Sequence, residues 1–396
     1  MMRKKFWIPL TLIGAAAIGF FGFLPGYVED SMNAVDGQPL IKVSDEAKAL
    51  HKTLNIVDLH SDTLMWNRDL GDRADRGHMD LPRLQEGNVA LQLFSSVTKT
   101  PKGQNYDGNG ADTDNITLLT FAQLQPVKTW RSLVERSLYH ASKRDSAVSG
   151  SDGKLQAVDK AQQLDALLAA RQKDRSTVGA MLTIEGLHNL EGKAENLDRL
   201  YDAGFRMAGF THFFDNELGG SMHGLKKGGL TPFGRDILRR MEAKGMIVDI
   251  AHLSHAGVAE VLAMAKRPVV SSHGGVQATC KVNRNLTDDE VRGVAKTGGI
   301  IGIGYWEGAI CSTDPRAAAK AMKHVRDLVG IQHVALGSDY DGATTVRFDT
   351  SQLAQVTQAL MDEGFTPDEI RAVMGENALR VIRAGLVPME KAATAQ

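Results

Sequence analysis

Short apolar runs, rich in β-branched residues and each ending in polar or glycine positions, recur eight times along this chain. They are Asn55–Leu64, Val89–Val97, Val178–Gly186, Phe205–Phe213, Met246–Ser254, Pro268–Gly275, Gly299–Tyr305 and His333–Gly342. Between most of them the apolar positions switch to helical spacing, as in Pro232–Lys244, Ala256–Ala265, Asp288–Thr297 and Pro315–Val329. Apolar strands alternating with helices predict a parallel sheet covered on both faces. Eight such units in succession predict an α/β fold of the closed (β/α)8, TIM-barrel type rather than an open sheet. No G-x-G-x-x-G follows the first strand, which removes a dinucleotide-binding reading.

Two stretches break the rhythm. Residues 98–177 are too long for a simple crossover and predict a helical insertion: a polar loop at Thr98–Asp114, then helices at Ile116–Arg144 and Asp159–Lys173 separated by the flexible SAVSGSDGK. It is expected over or beside the barrel mouth, with structural decoration as an equal alternative. The other stretch is the N-terminus, where Arg3-Lys4-Lys5 precedes Phe6–Leu24 and no charge appears before Glu29. As a helix this run rises about 28 Å, close to the hydrocarbon thickness of a bilayer. Its positive flank predicts a cytoplasmic start and an exported remainder. A cleaved signal would carry a shorter apolar region of about 7–15 residues, and no A-x-A site follows.

The expected organisation is therefore a transmembrane anchor at 1–28 and a linker at 29–54 with a short helix at Ser44–Lys52. A barrel domain at 55–387 and a tail at 388–396 follow, the domain ending in two helices within Thr366–Gly385. The exported part is expected on the periplasmic face of an inner membrane if the source is bacterial.

Composition narrows the function. With 396 residues and a net charge of −1, the chain has no basic footprint for nucleic acid. Its only two cysteines, Cys280 and Cys311, exclude a disulfide scaffold and a cysteine zinc finger. They follow the sixth and seventh strands, so a disulfide between neighbouring mouth loops and two free buried thiols both stay open.

Barrel chemistry gathers at the C-terminal strand ends. There the first strand places His60 and Asp62, the third Glu185, the fourth His212, the fifth His252, the sixth His273, and the eighth Asp339 and Asp341. Strand alternation puts His60 and Asp62 on one face. Each alone reads as a hydrogen-bonded structural group. Together on one rim they would be costly without a cation. Imidazoles and carboxylates without thiolates suit Zn²⁺, with Mn²⁺, Co²⁺ or Fe²⁺ as alternatives. No G-x-S-x-G elbow suggests a serine nucleophile.

These residues sit in stretches that resemble the membrane dipeptidase (renal dipeptidase) family, peptidase family M19. The stretches are DLHSDTL at 58–64, IEGLHNL at 184–190, GFTHFFDNE at 209–217 and GLTPFGRDILRRMEAKGMIVDIAHLS at 229–254. PVVSSHGG at 268–275, NRNLTDDE at 283–290, LGSDYDG at 336–342 and GENALRVI at 375–382 continue the series in the family's order. The resemblance implies a binuclear zinc dipeptidase with two zinc ions per chain and a metal-bridged hydroxide. His60 and Asp62 would hold one ion, His252 and His273 the other, and Glu185 would bridge both. His212 would bind substrate and help polarise the scissile carbonyl. Arg284 would bind substrate and stabilise the tetrahedral intermediate, and Asp339 would be the acid/base group. The partner would be a short peptide, some relatives accepting a D- or dehydro-residue at the C-terminal position or opening β-lactam rings, and the assembly a homodimer.

Two other classes compete. Other binuclear amidohydrolases typically carry HxH on the first strand and a bridging lysine on the fourth, where this chain has His60-x-Asp62 and His212. A non-catalytic, membrane-anchored binding protein would be expected to show broken ligands. Among weaker candidates, His188 reads equally as orienting Glu185 or as structural, His223 as a residue that could touch substrate, His255 as exposed, and Asp341 as a support for Asp339 or a turn cap.

Overall fold

The protein is described here by a computed structural model covering Gly14 and residues 16–389. Residues 6–13 and 15 of the predicted anchor, Phe6–Leu24, lie outside the described residues. Among the described residues no helix is long and apolar enough to cross a membrane.

Eight parallel strands close into a barrel: β1 (Ile56–Ser61), β2 (Val89–Val97), β3 (Val178–Glu185), β4 (Phe205–Gly209), β5 (Ile247–Asp249), β6 (Val270–Ser271), β7 (Ile300–Ile303) and β8 (Val334–Leu336). The ring is joined by β8 against β1 at Asp58↔Leu336 and by β2 against β3 from Leu91↔Gly179 to Val97↔Glu185. At least one apolar side chain from every strand (Val57, Leu91, Met181, Met207, Ile247, Val270, Ile300 and Ala335 among them) joins a single buried cluster, with Leu379 and Ile382 of the last helix. Residues of the opposite strand face, such as Phe94, Leu182 and Ile184, pack in a second cluster with the surrounding helices. Both faces are dry, which is why the strands read as continuous apolar runs.

Several predicted strands are shorter than expected. β5 ends at Asp249 and β6 at Ser271, so His252 and His273 sit in the loops just beyond, still at the same rim. The insertion is also more broken than predicted. Helix α1 (Leu24–Met32) is discussed below; α2 (Ile116–Ala122) stops short of Pro126, a 3₁₀ turn covers Val127–Trp130, and α3 (Leu133–Gly150) starts on the Ser132 cap. Proline disfavours helix in the residue before it and interrupts the ladder, which accounts for the break. α3 continues through half of the stretch expected to be flexible. A short strand at Leu155–Ala157, not foreseen, pairs with the start of β3 before β4 takes over that edge at Leu182.

Residues 29–54 do not hang free. The start of this stretch belongs to α1, whose Glu29 is buried. The chain then pairs with the loop after β8, through Asp36 N to Val346 O (2.8 Å) and Val346 N to Ala34 O (3.0 Å). The helix expected at Ser44–Lys52 forms over Asp45–His51, capped by Ser44.

Candidate metal centre

The strand ends converge on Glu185. Its Oε2 lies 3.5 Å from His60 Nε2, and its Oε1 lies 2.8 Å from His252 Nε2, 3.3 Å from His273 Nε2 and 3.5 Å from His212 Nε2. His60 Nε2 is also 3.5 Å from Asp62 Oδ1 and 3.8 Å from Asp339 Oδ1. Three overlapping groups could each hold a cation, with donor atoms within 4.8 Å of one another: His60, Glu185 and His273; Glu185, His212 and His252; His60, Asp62 and Asp339. Every residue predicted at the rim is therefore in one cluster except Asp341, which flanks it together with Arg284, the residue named by the resemblance alone.

Local structure explains the convergence. The pairing of β1 with β2 slips between Asp58 and Ser61, the kind of irregularity that re-aims a side chain at a barrel rim. Asp62 follows the strand and opens a 3₁₀ turn, so the pair meets through a turn rather than by strict alternation. His252, Asp339 and Asp341 adopt left-handed backbone, with φ of 62°, 58° and 61°. Gly186 has φ 90°, and a Cβ there would come within 2.5 Å of His188 Nδ1 and 3.2 Å of His212 Cβ. Only glycine lets the chain turn directly behind Glu185.

Buried carboxylates that the sequence reading passed over tie the strand ends together. Asp58 accepts from the backbone of Ser338 (2.8 Å), and Asp249 from the backbone of Ser272 (2.9 Å) and Ala251 (3.0 Å). Ser272 Oγ meets His273 Nδ1 at 2.8 Å, leaving Nε2 turned towards Glu185. The available signal was a charged residue inside an otherwise apolar strand, as in IVDLH and IVDIA.

Electrostatics set the cluster apart. Burial alone would raise the Glu185 pKa, but the imidazoles of His212 and His60 and hydrogen bonds from His252 and His273 hold it well below the carboxylate range. Asp339 goes the other way: burial, reinforced by Glu185 and Asp62, pushes it well above that range. His252 and His273 are driven well below the usual imidazole value, chiefly by burial. Neutral His252 and His273 beside ionised Glu185 are the protonation states a metal site requires, whereas His60 is raised well above the usual imidazole value, the Glu185 and Asp62 charges outweighing burial.

The donor set fits a metal. His60 Nε2, Asp62 Oδ1 and Glu185 Oε2 are buried and without a hydrogen-bond partner, and Nε2 of His252 faces Nε2 of His273 at 2.9 Å. Partnerless polar atoms crowded into a dry site are unfavourable unless a cation lies among them.

Arg284 closes one side. Its Nη2 is 3.4 Å from His252 Nε2, its Nη1 is buried without a partner, and its guanidinium lies 4.6 Å from the Trp306 ring centre. A cavity of about 1240 Å³ reaches the cluster, and Asp62, Glu185, His212, His252, Arg284 and Asp339 face it. The insertion lies beside the mouth as expected, contributing Tyr106, Ile116 and Leu119 to the wall.

The weaker candidates resolve differently. His188 bonds Thr98 Oγ1 (3.0 Å) rather than Glu185. His223 is fully buried, its ring 4.6 Å from that of Phe213 and its Nδ1 3.1 Å from Tyr106 O, behind the cavity wall. His255 pairs with Glu290 at 2.6 Å. Asp341 binds Thr63 Oγ1 (2.7 Å), the His78 backbone (2.6 Å) and Arg68, holding the loop that carries Asp339. Cys280 and Cys311 form a disulfide between the loops after β6 and β7, with Cα atoms 5.4 Å apart.

A family model described as membrane dipeptidase (peptidase family M19) matches residues 44–393. Dipeptidase aclJ of Aspergillus oryzae is 29% identical over 364 residues, which cover 85% of this chain and 81% of that protein. The probable dipeptidase PvdM from Pseudomonas aeruginosa superposes with a TM-score of 0.71 at 17% identity, over 86% of this chain and 98% of that one. A metallopeptidase from Rhodobacter sphaeroides, solved with a phosphinate mimic of the dipeptide L-Ala-D-Ala, gives 0.67 at 21% identity, over 84% and 99%.

Proposed function

This chain belongs to the membrane dipeptidase family, peptidase family M19, and is a metal-dependent dipeptidase; from that premise we propose that it works with two zinc ions shared across Glu185. The supporting observation is the division of labour in that one carboxylate, Oε2 towards His60 and Oε1 towards His252 and His273. His60 and Asp62 would hold one ion and His252 and His273 the other. Bound there, the ions would supply an acidified water and an electrophile for the carbonyl.

The rest of the chemistry falls to the chain's own groups. Arg284, buried and with Nη1 free, takes the substrate carboxylate, a charge-assisted pairing strengthened by the dry wall around it. His212 donates to the carbonyl oxygen as negative charge grows there. Asp339, whose pKa is raised by burial and by the Glu185 and Asp62 charges, would take the proton from the attacking water as a carboxylate and, as the acid so formed, deliver it to the departing amine.

The preferred substrates are short peptides, dipeptides with a D- or dehydro-residue at the C-terminal position included. The L-Ala-D-Ala mimic bound by the Rhodobacter protein supports that choice. We place the enzyme outside the cytoplasm, held by an uncleaved N-terminal anchor and acting as a homodimer. The Cys280–Cys311 disulfide supports export, since such bonds persist in oxidising compartments.

The test is metal analysis of the purified protein coupled to turnover of a dipeptide panel before and after chelation. Two equivalents of zinc, with activity lost on chelation and restored by zinc, are expected. Full activity in metal-free protein would overturn the reading.

A further inference from the structure

The cavity is larger than the metal cluster requires, and much of its outer wall is apolar. One part of that wall comes from outside the family match: Leu24, Pro25, Val28 and Met32 of α1 line it, whereas the match begins at residue 44. Val28 packs on a buried group formed by Met65, Trp66, Val97 and Ile116.

α1 is fixed to the barrel by charge as well as by packing. Glu29, 1% exposed, pairs with Arg68 and with Arg76 Nε at 2.9 Å, and Arg68 also pairs with Asp341. Asn33, just past the helix, accepts from the Ala343 backbone at 2.9 Å. A helix held by a buried ion network to the loop carrying Asp339 is a wall of the site, not a passing tether.

Its position decides which part of a substrate it meets. Met65 and Val97 lie at the ends of β1 and β2, while Arg284 belongs to the loop after β6, across the eight-stranded ring. With the substrate carboxylate on Arg284, the amino-terminal residue is the one directed towards Asp62 and α1.

We propose that α1 builds a subsite, with Met65, Trp66, Val97 and Ile116, that takes a bulky apolar side chain on the amino-terminal residue of the dipeptide. This rests on the dipeptidase reading. The helix makes side-chain preference a property of this chain's own N-terminal segment.

The experiment uses the full chain, the variants Val28→Trp and Val28→Ala, and two substrate series, X-Gly and Gly-X with X as Ala, Leu or Phe. In Val28→Trp the kcat/KM ratio of Leu-Gly to Ala-Gly should fall at least 10-fold, while the ratio of Gly-Leu to Gly-Ala moves less than 2-fold. Val28→Ala, which only removes bulk, should shift the Phe-Gly to Leu-Gly ratio upwards. Unchanged X-Gly ratios in both variants, or equal shifts in the two series, would overturn the subsite alone. Failure of the unsubstituted enzyme to cleave any dipeptide would overturn the dipeptidase reading and the subsite with it.

Discussion

Glu185 Oε1 lies 2.8 Å from His252 Nε2, joining the end of β3 to the loop after β5. Its other oxygen faces His60, so a single side chain serves both halves of the cluster. Glu185→Gln keeps the volume and removes the charge. Since changes to groups that only orient metal ligands cost about 10–100-fold, loss of the shared ligand should lower kcat/KM by more than about 100-fold and reduce bound metal. Metal content after dialysis and turnover of one dipeptide check this. Activity within a few-fold of the parent would contradict it.

Arg284 offers a planar fork stacked on Trp306, which lysine cannot reproduce. Arg284→Lys should cost about 10–100-fold in kcat/KM, the range of a charge-assisted hydrogen bond, mostly through KM. Dipeptide amides, which lack the carboxylate, should separate parent and variant far less. Equal losses on acids and amides would remove carboxylate binding as the role.

His51 makes folding acid-sensitive. Burial lowers its pKa to about 4, with Nε2 donating to Gly87 O and Nδ1 accepting from Thr357. The folded state therefore favours neutral imidazole, and the unfolded chain binds the extra proton at higher pH. That contribution is complete above the unfolded value near 6.5 and is lost as pH falls from there towards about 4. Melting temperature should drop across this window, and His51→Gln should flatten the drop. An unaltered acid limb in the variant would refute the assignment.

The disulfide joins loops separated by 31 residues, for which chain entropy predicts roughly 3–4 kcal/mol of stabilisation. The loop it ties carries Arg284. Reduction, or Cys280→Ser with Cys311→Ser, should lower the melting temperature by several degrees and raise KM more than it lowers kcat. Calorimetry with and without reductant, beside steady-state kinetics, reads both.

The barrel was legible because eight apolar runs alternating with helices favour a closed parallel sheet, and the candidate ligands because barrels place chemistry at strand ends. His60, Asp62, Glu185, His212, His252, His273 and Asp339 are all drawn into the cluster. What stayed hidden depends on long-range contacts. Asp58 and Asp249 look like isolated acids until the backbone amides of Ser338 and Ser272 are placed against them. The break between α2 and α3 was visible only as one proline at 126. α1 was obscured by its neighbour: an apolar run leading into a polar stretch reads as an anchor and its tether. Nothing local says that Glu29 finds Arg68 and Arg76, some forty residues further on.

The left-handed backbone of His252 and Asp339 carries a lesson for anyone engineering this enzyme. A non-glycine residue there costs roughly 1–2 kcal/mol, so glycine would ease the main chain at two positions where it would remove a proposed metal ligand and the proposed acid/base group. A library screened only for heat tolerance can collect such substitutions and yield robust, inert proteins. Selection for turnover in the same round keeps both side chains in place.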